Sequence, residues 1–151
     1  MNIVIREATQ ADLTNVAELF DLYRQFYEQK PNRELAFQFV SSRFNNAESV
    51  ILIAENHQLG IVGFCQLYPT FCSVEAEPIY SLYDLFVLPS ARKLGAGRQL
   101  LIAAEAKASA EGKVRLDLTT AKTNLPAQSL YESLGWQRDE IFYAYNKRPV
   151  S

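Results

Sequence analysis

The chain has 151 residues, 48% hydrophobic, 12% aromatic and 21% charged, which is typical of one globular domain covering residues 1–151. Fifteen basic and seventeen acidic residues give a net charge of −2, which argues against a general nucleic-acid binder. No apolar run approaches the roughly 20 residues of a membrane span, and the N-terminus lacks the order of a signal peptide, so we expect a cytoplasmic protein that binds no membrane.

The cysteine and histidine content argues against a bound metal. Cys65 and Cys72 belong to no Cys-x-x-Cys pattern, and His57 is the only histidine, so no zinc site is expected. In a cytosolic protein we expect the two cysteines to be buried thiols and not a disulfide.

The first half of the chain predicts a strand, two helices and a hairpin. An alternating, β-branched run predicts a strand over residues 2–6, and apolar residues at helical spacing then predict a long amphipathic helix as far as Tyr27. A second helix is predicted to stop near Asn45. The apolar run 49–55 predicts a strand buried on both faces, and 61–68 predicts its hairpin partner.

The second half predicts an irregular, acidic segment over residues 69–78 and a strand over 79–88, closed by Pro89. The remaining predicted elements are a helix to about Glu111, a strand over 114–118, a short helix capped by Asn124, and strands at Trp136 and 141–145. This order predicts a mixed α/β fold with one central mixed sheet of about seven strands and four helices packed on it.

The turn "ARKLGAGRQLL" (residues 91–101) lies between a predicted strand end and a predicted helix start. Backbone N–H groups in such a turn form an anion site, helped by the positive end of the helix dipole. The three cations of this stretch add positive charge, and we expect Gly95 and Gly97 to allow close approach and positive φ. From residue types alone, a plain strand–helix turn with a solvated basic face is equally open.

Two nucleotide-binding loops fit this stretch poorly. A P-loop needs Gly-Lys-Ser/Thr, which is missing. A Rossmann fingerprint would match Gly95 and Gly97, but Leu100 stands where the third glycine belongs, and the loop follows the fourth strand and not the first. Both interpretations are rejected.

The pattern Arg-x-x-Gly-x-Gly, formed by residues 92–97 after "DLFVLPSA", resembles the acetyl-CoA-binding motif of the GNAT N-acetyltransferase superfamily. A second segment, "NLPAQSLYESLGWQRD" (residues 124–139), resembles the superfamily's Asn-x-x-Ala/Ser-x-x-x-Tyr-x-x-x-Gly-Phe segment, with Trp136 replacing the Phe. The order of elements also matches, so the resemblance spans essentially the whole chain. It implies a GNAT fold, with its sheet splayed between strands 4 and 5, and an acetyl-CoA-dependent N-acetyltransferase.

The resemblance also implies how acetyl-CoA is bound. The loop would hold the pyrophosphate, the end of the preceding strand would pair with the pantetheine arm, and Asn124 would contact the same cofactor. The residues so implied are Leu85, Phe86, Val87, Arg92, Lys93, Leu94, Gly95, Ala96, Gly97, Arg98 and Asn124.

Tyr131 and Asp84 are the candidate catalytic residues. By the resemblance, the Tyr131 hydroxyl is a donor to the departing sulfur; packing in the core is the other interpretation. Asp84 is the only carboxylate within residues 79–88, and a lone acid among apolar strand residues suggests a general base or a recognition site for a cationic amine. A sheet-edge carboxylate, or one paired with an arginine, is the alternative.

The segment "YDLFV" (residues 83–87) bears on the identity of the acceptor. It resembles the Glu-Asp-Phe/Ile-x-Val strand of diamine acetyltransferases, except that Tyr83 stands where that group has its Glu. Backbone N–H groups near Phe86 are expected to hold the oxyanion. Tyr23 and Tyr27 on the first helix are expected to line the acceptor pocket, or else to belong to the core.

The expected acceptor is a primary amine on a small cationic metabolite, polyamine- or amino-acid-like, acetylated by direct transfer in a ternary complex. Two alternatives stay open: a protein or peptide N-acetyltransferase, and a non-catalytic acyl-CoA-binding sensor. The aromatic stretch "IFYAY" (residues 141–145) would also suit a homodimer.

Overall fold

The computed structural model describes residues 2–150, which form two compact units that meet in sequence between Thr119 and Thr120. The second unit contains α4 (Leu125–Ser133). The elements of the first unit are β1 (Ile3–Glu7), α1 (Leu13–Phe26), α2 (Arg33–Asn45), β2 (Val50–Asn56), β3 (Gly60–Cys72), β4 (Glu77–Val87), α3 (Ala96–Ala110) and β5 (Leu116–Asp117), with short 3₁₀ helices at Gln10–Asp12 and Pro89–Leu94.

The strands of the first unit form a single mixed sheet in the order β1-β2-β3-β4-β5. Neighbours are antiparallel from β1 to β4, and β5 lies parallel to β4. The predicted mixed α/β class with one central sheet is confirmed. The predicted number of strands is wrong, because the described residues contain five strands and not about seven.

Helices cover both faces of the sheet. Residues 51–54 of β2 are all buried, as the continuous apolar run predicted. Ile51 and Ile53 belong to the core that α1 and α2 form with Phe64 and Phe86. Side chains alternate between faces along a strand, so Leu52 points to the opposite face, where α3 packs against β1 to β4.

Strands β3 and β4 extend beyond their predicted bounds and form a hairpin, so the irregular segment expected over residues 69–78 is confined to residues 73–76. Both strands continue to Cys72 paired with Glu77. Pro69 pairs with Tyr80, whose N–H donates away from β3, to the oxygen of Arg115 just before β5 (3.1 Å). The β3–β4 ladder therefore needs no N–H from Pro69, which is the kind of position where a strand tolerates proline.

The strands predicted at Trp136 and at 141–145 are also wrong, since none of the described residues of the second unit is in a strand. The Asp139 carboxylate accepts the backbone N–H groups of Ile141 (2.8 Å) and Phe142 (3.2 Å), which takes up donors that a ladder would use. Strand propensity reflects packing against neighbours, and the sequence does not reveal whether a neighbour is present.

Candidate active site

β4 carries one extra residue relative to β3. Leu67 pairs with Leu82, whereas Gln66 pairs with Asp84, which leaves Tyr83 without a partner in the ladder. Partners across an antiparallel pair share a face of the sheet. Without this bulge, Gln66 would lie opposite Tyr83, and Asp84 would point to the other face.

The bulge places Asp84 on the face that α1 covers. Phe64 and Phe86, two residues beyond Gln66 and Asp84 on the same face, pack into the core with α1 and α2. Asp84 is only 2% exposed. The sequence thus directs a carboxylate into the interior, toward the first helix.

Asp84 is held by uncharged partners. Nε2 of Gln66 donates to Oδ2 of Asp84 at 2.5 Å. The Tyr23 hydroxyl donates to the backbone oxygen of Tyr83 at 3.1 Å and also lies close enough to favour the carboxylate. Burial raises the pKa of Asp84 to about 6, while these two neighbours act in the opposite direction and limit the increase. The alternative interpretation, in which Asp84 pairs with an arginine, is wrong, because none of the salt bridges among the described residues includes Asp84.

Four tyrosines form a wall around this carboxylate. The charge of Asp84 contributes to raising the pKa of Tyr23 and of Tyr68, after burial as the main cause. The Tyr68 and Tyr83 rings meet edge to face at 5.8 Å, and those of Tyr23 and Tyr27 at 5.3 Å. Tyr83 is 69% exposed and Tyr27 48%, so this tyrosine wall reaches from the buried acid to the solvent.

The sheet opens between β4 and β5 next to this site. Their pairing covers only Tyr80 with Leu116 and Ser81 with Asp117. It stops just before the bulge at Tyr83, where a bulged strand bends. Along residues 82–87, this edge of β4 has no strand partner among the described residues. The opening lies where the resemblance implied a splay.

The turn after β4 leads directly into α3. Gly95 has a φ of +79° and precedes the first residue of α3, and a Cβ there would meet no atom within 4 Å. The first N–H groups of a helix have no partner within it, so the amides of Ala96 and Gly97, at the start of α3, are not bonded within the helix. The positive φ expected at Gly97 is wrong, because Gly97 is part of the first turn of α3.

One of the three cations of this turn, Arg92, makes contacts with the end of β4. Arg92 is exposed, and its Nε donates to the Val87 backbone oxygen at 3.0 Å, while its guanidinium lies 5.8 Å from the centre of the Phe86 ring. Lys93 and Arg98 are exposed. The end of β4 and the start of α3 therefore form one positively charged rim beside the open strand edge.

The second unit contains the other two motif residues. Oδ1 of Asn124 accepts the Ala127 N–H at 3.2 Å and caps α4, as predicted. Tyr131 lies on α4, partly buried, with its ring 6.1 Å from that of Trp136. The Trp136 N–H donates to the Tyr131 backbone oxygen at 3.1 Å. This hydrogen bond closes the C-terminal end of α4 and links the two residues of the motif.

Other polar groups of residues 2–150 offer less chemistry. A surface cavity on α1 includes Asp21, but both carboxylate oxygens of Asp21 are taken, by Gln25 Nε2 (3.2 Å) and by the Asn32 N–H (2.9 Å). Within residues 2–150, no three His, Cys, Asp or Glu side chains are grouped as a metal site would require. None of the helices in this range combines the length and the apolar character that a membrane-spanning helix requires.

Known proteins share this architecture. The model of the Acetyltransferase (GNAT) family matches residues 15–136. The uncharacterized N-acetyltransferase YhfO of Bacillus subtilis (strain 168) is 47% identical over 141 residues, 93% of this chain and 94% of that protein. The crystal structure of a probable acetyltransferase has a TM-score of 0.88 at 36% identity, over 100% of this chain and 99% of the other. The aminoglycoside N-acetyltransferase AAC(6')-Iy in complex with CoA shares the fold, with a TM-score of 0.81 at 20% identity over 98% and 96%.

This chain belongs to the GNAT family, and it is an N-acetyltransferase. Of the residues predicted from sequence, Asp84 and Tyr23 lie together, with Tyr27 in ring contact with Tyr23. Gln66 and Tyr68 were not among the site residues expected from sequence. A signal for Gln66 was present, since it is the one polar residue within the apolar run "IVGFCQLY" of β3.

Proposed function

We propose that this N-acetyltransferase moves the acetyl group of acetyl-CoA to the primary amine of a small cationic metabolite, by direct transfer in a ternary complex. The observation that carries the proposal is the buried Asp84 carboxylate, surrounded by tyrosines beside the open edge of β4. Burying a carboxylate without an opposite charge is costly. A ligand that brings its own positive charge would offset this cost.

In this proposal, Asp84 first holds the acceptor as an ammonium ion and then takes its proton. An alkylamine with a pKa of about 10 arrives protonated and cannot attack a thioester. Asp84, with a pKa of about 6, takes one proton of the ammonium ion as the nitrogen approaches the thioester, which frees the lone pair for attack. Once the C–N bond has formed, the nitrogen is far more acidic and loses a second proton, which balances the proton that the departing thiolate gains. Asp84 then returns its own proton to solvent. The product amide carries no charge, which weakens its hold on Asp84 and favours release.

The tyrosine wall supports a cationic acceptor. Ring faces attract ammonium groups by about 0.5–2 kcal/mol, depending on how far they are removed from water. Tyr23 would line the inner part of the path, and Tyr27 and Tyr83 its mouth, in keeping with their exposure. A polyamine- or amino-acid-like metabolite would present such an ammonium group to this aromatic surface.

Acetyl-CoA would supply the activated acetyl group, and the first unit offers groups suited to it. The open edge of β4, Leu85 to Val87 in particular, offers backbone groups for the amides of the pantetheine arm, apart from the Val87 oxygen, which already accepts the Arg92 Nε–H. Residues Arg92 to Arg98 would hold the pyrophosphate through the α3 amides and the cations of the rim. Backbone N–H groups near Phe86 would stabilise the developing oxyanion.

Asn124 and Tyr131 enter the proposal through the motif "NLPAQSLYESLGW". In this assignment Asn124 contacts the cofactor, and the Tyr131 hydroxyl protonates the leaving thiolate. We further propose that residues 1–151 act as one catalytic domain, supported by the family match, which runs through both units.

The direct test is release of the CoA thiol from acetyl-CoA with a panel of acceptors. The panel contains spermidine, lysine, kanamycin and a peptide with a free N-terminus. We expect turnover with the small cationic amines. Turnover with the peptide alone would indicate a protein N-acetyltransferase, and CoA binding without turnover on any amine would indicate a sensor.

The pyrophosphate site predicts the behaviour of Gly97→Val. A branched side chain in the first turn of α3 would crowd the N–H groups that bind the anion. Loss of one hydrogen bond to a charged group weakens affinity by on the order of tenfold or more, which calorimetry with CoA would measure. Gly97→Ala is the smaller control, with folding checked by circular dichroism. Wild-type affinity in folded Gly97→Val would contradict the assignment of this loop.

We also propose a homodimer in which a second copy covers the aromatic C-terminal segment. The apolar side chains in residues 141–145 that contact solvent are Ile141, Phe142, Tyr143 and Tyr145, at 78–92% exposure. Monomers rarely expose such a continuous patch. Light scattering should give a dimer mass for the wild type and a monomer mass for the Phe142→Ser, Tyr143→Ser variant. A wild-type monomer at micromolar concentration would contradict the dimer.

A further inference from the structure

We propose that Gln66 and Ser49 form a positioning pair that keeps Asp84 ionised and fixed in orientation. The proposal rests on the role of Asp84 as the acceptor's base given above. Neither residue needs to touch the acceptor, because both act through the Asp84 carboxylate. The pair sets the pH above which the enzyme can work.

The contacts form a continuous chain through the interior. Gln66 is fully buried, and its Nε2 donates to Oδ2 of Asp84 at 2.5 Å. On the other end of the same amide, Oε1 accepts the Ser49 hydroxyl at 2.7 Å. Ser49 immediately precedes β2 and is separated from Gln66 by 17 positions in sequence.

The direction of these hydrogen bonds favours the charged form of Asp84. An ionised carboxylate only accepts, so it requires the N–H side of the Gln66 amide. The Ser49 hydroxyl donates to the opposite oxygen and thereby holds the amide in this orientation. If the amide turned over, its oxygen would face Asp84 and would bind only the protonated acid.

Three titratable side chains near Asp84, those of Tyr23, Tyr68 and Cys65, are uncharged in the working pH range. Burial is the main cause that raises the pKa of Tyr23 on α1 and of Tyr68 on β3, and it raises the pKa of Cys65, also on β3, to about 12. The Tyr23 hydroxyl adds a second contact that favours the carboxylate. Gln66 is therefore the strongest uncharged partner that opposes the cost of burying this charge.

The extra residue at Tyr83 explains why the pair exists at all. The register before the bulge would place Tyr83 opposite Gln66, and the bulge brings Asp84 there instead. The same irregularity therefore opens the strand edge, turns Asp84 toward α1 and supplies its hydrogen-bond donor.

The test compares pH–rate profiles of the full chain with Gln66→Met, Ser49→Ala and wild type, using spermidine and acetyl-CoA. Methionine keeps the length and volume of glutamine but has no N–H group. We expect the acidic midpoint of kcat/KM to move upward by about one to two pH units in Gln66→Met. Ser49→Ala should move it in the same direction by less, and turnover well above the midpoint should stay within about threefold of wild type.

Two controls separate positioning from packing. Ser41→Ala removes a buried hydroxyl that has no hydrogen-bond partner, so its profile should match that of wild type. If Gln66 had only a structural role, Gln66→Met would lower the melting temperature or would lower turnover equally at every pH. An unmoved midpoint in Gln66→Met would overturn the proposal.

A readout without turnover separates this proposal from the proposed function. The carboxyl carbons of the five aspartates can be titrated by ¹³C NMR, with the Asp84 signal assigned by its loss in Asp84→Asn. If Asp84→Asn were fully active, the role of Asp84 as base would fail. The titration would still decide the pair, since a midpoint that is higher in Gln66→Met supports it and an equal midpoint overturns it.

Discussion

Asp84→Asn is expected to lower kcat/KM for the amine acceptor by on the order of 10²–10⁴, the usual contribution of one acid–base group. Asparagine keeps the shape and can still meet the Gln66 side chain, but it neither attracts an ammonium ion nor accepts its proton. The matched control is Asp21→Asn, which removes the charge of another buried carboxylate, one that is already bonded to Gln25 and Asn32. Steady-state kinetics of both variants would measure the difference.

The pH profile of the wild type should carry the same signature. In the proposed mechanism activity needs the ionised carboxylate, so kcat/KM should fall about tenfold per pH unit below the Asp84 pKa of about 6. It should fall again above a pH of about 10, where an alkylamine acceptor is no longer an ammonium ion. The acidic limb should vanish in Asp84→Asn, and its persistence in that variant would assign it to another group.

The same substitution should make the protein more stable at neutral pH. The pKa of Asp84 is higher in the folded chain, at about 6, than the ordinary 3.8 of the unfolded chain. Protonated Asp84 therefore favours the folded chain. This contribution to the free energy of unfolding is fully present below a pH of about 3.8 and is lost as the pH rises through 6. A pKa difference of about two between the folded and unfolded chain corresponds to about 3 kcal/mol. Urea unfolding at pH 8 should therefore favour Asp84→Asn by up to about this amount, and the advantage should disappear near pH 4.

A variant that is less active but more stable is the pattern expected of a group kept for chemistry. If Asp84→Asn instead lost stability at pH 8 and activity together, the carboxylate would be structural. Asp21→Asn should show no such opposition between activity and stability, because Asp21 has a hydrogen bond on each oxygen.

The parts of this fold that were predictable from sequence are those that local physics decides. The strand before Pro89, the glycine turn and α3 follow one another in sequence, so residue pattern and turn chemistry locate them without knowledge of the rest. The cap of α4 by Asn124 is equally local. The two motifs that carry the GNAT resemblance lie in these segments.

The parts that were not predictable depend on partners distant in sequence. Whether residues 141–145 form a strand depends on a neighbouring strand, and the Asp139 carboxylate takes up two of the N–H groups involved. The pairing of Gln66 with Asp84 depends on one extra residue in β4. A lone polar residue in the apolar run of β3 and a lone carboxylate within residues 79–88 were a signal, but only the register shows that the two meet.

Tyr131→Phe is expected to lower kcat by on the order of 10²–10⁴ while leaving the affinity for CoA almost unchanged. The leaving group is a thiolate whose conjugate acid has a pKa of about 8.5, so protonation as the C–S bond breaks removes a charge that the site would otherwise have to hold. Phenylalanine keeps the ring that packs near Trp136 and removes only the hydroxyl. A loss of kcat without a change in folding would therefore indicate that the Tyr131 hydroxyl supplies the proton to the thiolate.

The matched control for Tyr131→Phe is Tyr145→Phe, which removes a hydroxyl from an exposed ring in the same unit. Turnover, calorimetry with CoA and circular dichroism should be measured on both variants. The Tyr145 variant should match the wild type in all three. Turnover of Tyr131→Phe within about twofold of wild type would remove this hydroxyl from the mechanism, because the loss of a general acid costs far more than that; the thiolate would then have to leave by accepting backbone N–H groups or a proton from water.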